Sequence, residues 1–326
     1  MWFRRILNAK PRFAVRPVDS GASNPGQPVL SAHALRQLNR LQINTNPFLP
    51  GHALGSRPSQ RRKPAFDFRE HRSYTPGDDV RFVDWKASAR QEHIFIKQGE
   101  HLKDAAVYII IDCSASMTWG EPPKTHALLP LAAALSYLAL SHGDRLMIVP
   151  LTDRARESSS ALLPLGPVRG KGQFPGLLNY LRALPYGGRI DLGHSLAGFS
   201  RSYPMRGGLV LILSDLLGTG DLTRGLEALP RPAWNVSLLH LLHPSELTPT
   251  LRGDYEMQDI ETGQKKRYTV TDNALETYQR RLQAWRQNLE STCLERKVFY
   301  TLISTGWSLE NKVIPHLREV NLVKAL

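Results

Sequence analysis

The sequence predicts an α/β fold with a doubly wound, mostly parallel sheet sandwiched between helices in three layers. Three observations point there. Residues 107–111 (Val-Tyr-Ile-Ile-Ile) and 209–213 (Leu-Val-Leu-Ile-Leu) are unbroken apolar runs of the kind found in strands buried on both faces. Each run leads into an aspartate, Asp112 or Asp215. From residue 105 onward, strand-like and helix-like stretches alternate, as crossover connections between parallel strands require.

Taken in order, residues 1–29 are rich in Pro, Gly and Ser without sustained periodicity, and read as a disordered tail. Leu30, Leu35, Leu38 and Leu41 have the spacing of a short amphipathic helix over 30–44. Residues 50–66, with the run Arg61-Arg62-Lys63, read as an exposed loop. A denser polar stretch follows, with Pro76-Gly77 as a tight turn, and 93–97 reads as a strand. Residues 30–103 are thus taken as an N-terminal segment and 104–326 as the α/β domain. Within the latter, helices are expected at 128–141, 174–183, 192–202, 274–296 and 309–320, the last starting or kinking at Pro315. Strands are expected at 145–151, 161–165 (an edge), 236–242 and 298–303. Residues 255–270 read as a hairpin insertion turning at Glu261-Thr262-Gly263-Gln264.

Composition narrows the function classes. Hydrophobic residues make up 41% of the chain, enough for a sizeable core. Two cysteines, Cys113 and Cys293, are too few for a disulfide framework and wrongly spaced for zinc, which suits a cytoplasmic protein. The apolar stretch 127–140 is broken by Pro130, Ser136 and Tyr137 and falls short of the roughly 20 residues of a membrane span. No transmembrane segment is expected, and any membrane association would be peripheral, through a partner at the inner membrane. The net charge of +13 is uneven: residues 1–103 hold 18 Lys/Arg against 8 Asp/Glu, and 104–326 hold 24 against 21. A basic N-terminal third suits acidic protein surfaces or anionic lipid. Nucleic-acid binding is the less favoured alternative, because no zinc finger, helix-turn-helix or aromatic-interleaved RNA motif accompanies the charge.

In a doubly wound sheet, ligands bind beyond the carboxyl ends of the strands. Asp112-Cys113-Ser114-Ala115-Ser116 places a carboxylate and two hydroxyls at alternate positions of a tight loop at such an end. Asp215 stands at another. Hard oxygen donors of low total charge suit Mg²⁺ or Mn²⁺ and leave positions for water or an incoming carboxylate. Serines that merely cap the next element are the competing explanation.

With its flanking residues, this pentapeptide resembles the metal-ion-dependent adhesion site of von Willebrand factor A domains. Ser214-Asp215 is similar to the family's later aspartate. The family's Gly-Gly-Thr loop is matched by Tyr186-Gly187-Gly188-Arg189-Ile190-Asp191, where Ile190 or Arg189 replaces the threonine. Asp191 is then the remaining oxygen donor of that loop, directly or through water. The resemblance implies metal at Asp112, Ser114, Ser116, Asp215 and Asp191, bound weakly for want of the threonine.

A second stretch, Arg72-x-Tyr74-x-Pro76-Gly77-Asp78-Asp79-x-Arg81-x-x-Asp84-Trp85-x-x-x-Ala89-Arg90, is similar to the signature of the bacterial domain-of-unknown-function 58 family, which precedes a von Willebrand-like domain at about this distance. The resemblance covers about 30–326. It implies a non-enzymatic, metal-dependent protein-interaction module whose partner is a MoxR-type AAA+ ATPase, acting on assembly or maturation of protein complexes. Within this signature, Asp and Arg side chains that satisfy one another around Trp85, packed against the α/β domain, are the favoured reading. A partner surface and a nucleotide site are the alternatives, and no Gly-rich phosphate loop supports the last. A metal hydrolase is a further alternative, in which Asp153 or His194 would serve as base.

Overall fold

The structure, a computed structural model, describes residues 9–10, 28–44, 68–73, 88, 95–99, 106–152, 163–203, 207–218, 221–261 and 263–326. It divides into two units, one formed by residues 1–49 with 106–326 and the other by 50–105. The described elements, in chain order, begin with strand β1 (Ala9–Lys10), helix α1 (Ala32–Leu38), β2 (Leu41–Ile43), β3 (Phe68–Ser73), β4 (Phe95–Gly99) and β5 (Ala106–Asp112). A 3₁₀ turn (Ala115–Thr118) leads to α2 (Thr125–Ser141), β6 (Arg145–Leu151), β7 (Leu165–Val168), α3 (Phe174–Arg182), α4 (Leu192–Ser202) and β8 (Gly208–Ser214). Then come α5 (Leu222–Glu227), β9 (Trp234–Leu242), α6 (Pro244–Leu247), β10 (Gly253–Gln258), β11 (Lys265–Val270), α7 (Asp272–Glu295), β12 (Phe299–Ser304), α8 (Ile314–Glu319) and β13 (Val323–Ala325).

Six strands form the central sheet in the order β12-β9-β8-β5-β6-β7. All neighbours are parallel except β7, which runs antiparallel to β6. The apolar run of β5 is buried throughout because strands flank it on both sides and helices cover both faces. Side chains of a strand alternate between faces. Tyr108 and Ile110 meet a core of Val210, Ile212, Leu196 and Phe199 on the α4 side. The alternate residues Val107, Ile109 and Ile111 are equally buried, and α2 packs on β5 and β6. Helix α2 is buried on nearly every side, as its Leu- and Ala-rich sequence allows.

After β5 the chain crosses to β6 on one side. It later returns to β8 on the other. The strand order therefore reverses between β5 and β8, and the crevice at their carboxyl ends is a topological switch point. Helices α4 and α5 pack closely on one flank of this crevice. A Cβ on Gly193 would lie 2.2 Å from the Asp221 carbonyl oxygen, so the approach requires glycine there.

Several expectations are corrected. The helix expected over 30–44 stops at Leu38, and Leu41–Ile43 instead forms β2, paired antiparallel with β13. The hydroxyl of Ser31 caps α1, and Ser31 and His33 both hydrogen-bond Glu310, the His33 contact at 2.7 Å. Residues 30–44, read with the segment continuing to 103, thus pack with the C-terminal end of the chain. The edge strand expected at 161–165 is found at Leu165–Val168. Helix α8 begins beside Pro315, preceded by a wide π-helical stretch (Leu309–Val313). The hairpin near 255–270 is β10 and β11, with β1 added at its edge. Apart from Ala9–Lys10 and residues 28–29, the expected tail lies outside the described residues.

In the second unit, β3 and β4 pair antiparallel with Ser73 opposite Phe95. No apolar alternation marks the strand at 68–73, because the charged run Arg69, Glu70, His71 and Arg72 hides the period. Asp78, Arg81, Asp84 and Trp85 lie outside the described residues, as does Asp153. No helix among the described residues is long and apolar enough to cross a membrane.

Candidate metal and partner-binding site

Asp112 ends β5 and is 2% exposed. One carboxylate oxygen accepts from the Ser114 amide at 2.9 Å, and the other from the Ser214 hydroxyl at 2.5 Å, so β5 and β8 are tied together at their ends. Ser114 and Ser116 are buried with their hydroxyl oxygens 2.9 Å apart. The alternate spacing thus brings carboxylate and hydroxyls to one side of the loop. The Gly187-Gly188 loop closes on it: the Gly187 amide donates to the Cys113 carbonyl at 2.8 Å, and the Ala115 amide to the Gly188 carbonyl at 3.0 Å.

Asp215 follows β8 and is completely buried. Its Oδ1 accepts from the Leu217 amide at 3.0 Å, and the neighbouring Ser116 hydroxyl favours its ionised form. Asp112, Ser114, Ser116 and Asp215 therefore converge.

Asp191 does not join them through its described bonds. It is exposed, and its Oδ1 caps α4 by accepting from the His194 amide at 2.8 Å. A short acidic side chain just before a helix is a strong N-cap, and that is where this one is used. Ile190, the residue at the expected threonine position, is 3% exposed and packs in the apolar core with Leu192 and Leu196. Arg189 is exposed and pairs at 3.7 Å with Glu261, in the turn of the β10–β11 hairpin. His194 is exposed on α4.

Two residues missed by sequence reasoning complete the site. Lys124 begins α2, and its ammonium is fully buried, 2.6 Å from Asp215 Oδ2 and 2.7 Å from Glu246 Oε1. A cation at a helix N-terminus runs against the helix dipole, so nothing in the local sequence marks it. Glu246 is held by α6: its Oε2 accepts from the His243 amide at 2.6 Å in a capping box with Pro244 at the first turn. The available signal was Pro-Ser-Glu directly after a strand. Trp119 joins the Lys124 pocket, its ring 6.0 Å from the ammonium and edge-on to His243 at 5.3 Å. The Tyr278 hydroxyl donates to the Glu246 carbonyl at 2.7 Å, anchoring α7 beneath.

The charges sort accordingly. Burial raises the pKa of Asp112, and the nearby Asp215 carboxylate raises it further, against the Ser214 and Ser114 hydrogen bonds. Burial pushes Asp215 upward too, but the Lys124 ammonium outweighs it and holds that carboxyl below its ordinary range. Burial alone would lower Lys124; Asp215 and Glu246 together raise it. Behind them, His240 Nε2 lies 3.0 Å from the Asp215 carbonyl oxygen, which can only accept, so Nε2 carries the proton. Nδ1 then accepts from the Tyr300 hydroxyl at 2.7 Å. Burial lowers the His240 pKa to about 3, so the ring is neutral.

Do these residues suit a hard divalent ion? Asp112, Ser114 and Ser116 do. They are three oxygen donors in one loop, and no cationic side chain among the described residues pairs with Asp112. Asp215 is already paired with an ammonium, and Ile190 has no donor to offer.

Comparison with known proteins sets this architecture in a family. The chain is 27% identical over 294 residues to the uncharacterized proteins Rv1480 of Mycobacterium tuberculosis and Mb1516 of Mycobacterium bovis, with 88% of each chain covered. Among solved structures it is similar to the hypothetical protein BatB of Bacteroides thetaiotaomicron, at 12% identity and TM-score 0.37 over 66% of this chain and 98% of that one. It is also similar to an aerotolerance-related membrane protein of Bacteroides fragilis, at 11% identity and TM-score 0.38 over 67% and 98%. The family model described as "Protein of unknown function DUF58" matches residues 70–288, which takes in β5, β8 and every residue of the candidate site, and the chain belongs to that family.

Proposed function

We propose that this chain is a protein-interaction module of von Willebrand factor A type that offers the switch-point end of its sheet to a partner protein. Mg²⁺ or Mn²⁺ would be held there by Asp112, Ser114 and Ser116. The observation that carries this is the convergence of one carboxylate and two adjacent hydroxyls at the ends of β5 and β8, the strands between which the order reverses. When bound, the ion would supply an electrophilic point for a partner's carboxylate. The chain's own residues orient and shield it: Ser214 fixes one Asp112 oxygen, the Ser114 amide fixes the other, and the Gly187-Gly188 loop forms the rim. Binding, not turnover, is the activity. By the family resemblance read from the sequence, the partner is a MoxR-type AAA+ ATPase, and the pair acts on assembly or maturation of other proteins.

The test is capture of the purified MoxR-type ATPase of the same organism, in Mg²⁺ and in EDTA, by the parent and by Asp112→Asn. The amide keeps an acceptor for the Ser114 N–H but loses the charge. Affinity should fall by about tenfold or more, equivalent to about 1.4 kcal/mol, with the melting temperature nearly unchanged. Equal capture by the variant in Mg²⁺ would sink the reading.

A further inference from the structure

We propose that Lys124 is the built-in cation of this site: it holds Asp215 and Glu246 in place whether or not a metal ion is bound, and it lowers the affinity for one. The inference rests on reading Asp112, Ser114 and Ser116 as the ion's donors.

The geometry is specific. The Lys124 side chain is 0% exposed, and its ammonium touches two carboxylates from different elements, Asp215 after β8 and Glu246 on α6, at 2.6 and 2.7 Å. Trp119 presents its ring to the same ammonium. The ammonium is thus enclosed by two acids and an aromatic face and cannot be rehydrated without opening the site. A buried charge is tolerated only with such partners.

The consequence for a metal follows from proximity. The Asp215 carboxylate that Lys124 neutralises directly follows Ser214, whose hydroxyl holds Asp112 at 2.5 Å, and its charge raises the Asp112 pKa. An ion on Ser114 and Ser116 therefore sits one carboxylate away from a fixed positive charge. In a poorly solvated site that repulsion weakens binding substantially. The carboxylate best placed to offset it is already engaged. The site is assembled without the ion, and the ion adds to it at reduced affinity. A partner that contributes its own carboxylate would restore the missing negative charge, so ion and partner would bind together.

The experiment uses the free full-length chain and Mn²⁺ as probe. Binding is read from the paramagnetic resonance of free Mn²⁺, and folding from thermal melts in EDTA and in Mn²⁺. The parent should melt at nearly the same temperature in both media, since a weakly bound ligand adds little stability. Lys124→Met, close in length but uncharged, should bind Mn²⁺ roughly tenfold more tightly or better and should melt in an ion-dependent way. A Lys124→Met protein that folds only with Mn²⁺ supports the proposal equally. A folded Lys124→Met that binds Mn²⁺ no more tightly than the parent overturns it, and so does a parent that unfolds on chelation. If Lys124→Met folds in neither medium, Lys124→Met/Glu246→Gln, which removes one of the two stranded charges, is judged by the same criteria. The parent's melt decides on its own if that variant also fails. A structural ion pair would change the melt without changing Mn²⁺ affinity. Because no partner is present, the outcome is independent of the capture experiment with Asp112→Asn.

Discussion

Lys124 and Asp215 lie 91 residues apart, one at the start of α2 and the other just beyond β8, yet ammonium and carboxylate meet at 2.6 Å with both side chains fully buried. Glu246 joins from a third element. The carboxyl end of the sheet is thus closed by an internal ion triad beside the Asp112, Ser114 and Ser116 donors.

Breaking that triad from the acid side should be costly. Asp215→Asn leaves the ammonium with one carboxylate, and loss of a buried partner charge destabilises by about 3–5 kcal/mol. Urea unfolding at pH 7 should show a lower midpoint with an unchanged slope. A midpoint within error of the parent would mean that the pair contributes nothing net.

The same pair has a pH signature. Asp215 has its folded pKa depressed, so its contribution is present above the unfolded value and is lost as pH falls through the lowered one. Lys124 has its folded pKa raised, so its contribution is complete below the unfolded value of 10.5 and is lost as pH rises from there through the higher folded value. Stability in the parent should therefore begin to fall as pH rises above 10.5. Lys124→Met, where folded, should lack this alkaline component. Parallel alkaline profiles would contradict the assignment.

His240 governs a separate window. Its folded pKa, lowered to about 3 by burial, lies below the ordinary histidine value of 6.5. Its contribution is present above pH 6.5 and shrinks as pH falls below it, by roughly 3 kcal/mol at pH 4. His240→Gln, which can still donate to the Asp215 carbonyl, should unfold with a flatter dependence between pH 6.5 and 4. Asp215 does not interfere, because its own loss lies below 3.8. An equally steep dependence in the variant would assign the effect elsewhere.

Ile190→Thr separates sequence position from spatial position. Read along the chain, a hydroxyl at 190 would strengthen the metal site. In the structure the Ile190 side chain is packed among Leu192 and Leu196, so a threonine there buries a polar group in the core. We expect a loss of about 1–3 kcal/mol and no gain in Mn²⁺ affinity by calorimetry. Tighter binding would show that the loop can turn this residue toward Asp112.

Gly193→Ala probes the flank of the crevice. A Cβ there would lie 2.2 Å from the Asp221 oxygen and 2.9 Å from its carbonyl carbon, both backbone, so α4 and α5 must separate. Overpacking of this kind costs about 1–3 kcal/mol, readable as a lower melting temperature. An unshifted melt would mean that the two helices are not so tightly joined.

The sequence alone determined the parts of this protein that repeat locally. An apolar run long enough to be a strand and flanked by crossover helices must be buried on both faces, so β5 and β8 and the parallel sheet were legible, as were α4 and the β10–β11 hairpin. The carboxylates at the strand ends followed from the same logic, because doubly wound sheets expose their carboxyl ends to ligands. Only the tertiary structure decided how those carboxylates are satisfied. Asp191 spends its carboxylate on the local cap of α4, which its position just before that helix allows, whereas Ile190 turns into the core. Lys124 reaches Asp215 and Glu246 across the sheet end, and β2 finds its partner at the far end of the chain in β13. The contacts of Lys124 and of β2 join residues tens to hundreds of positions apart. Periodicity and capping rules act over a few residues and report which face a side chain takes. The pairing of buried charges depends on which elements the completed fold brings together, and no local pattern carries that information.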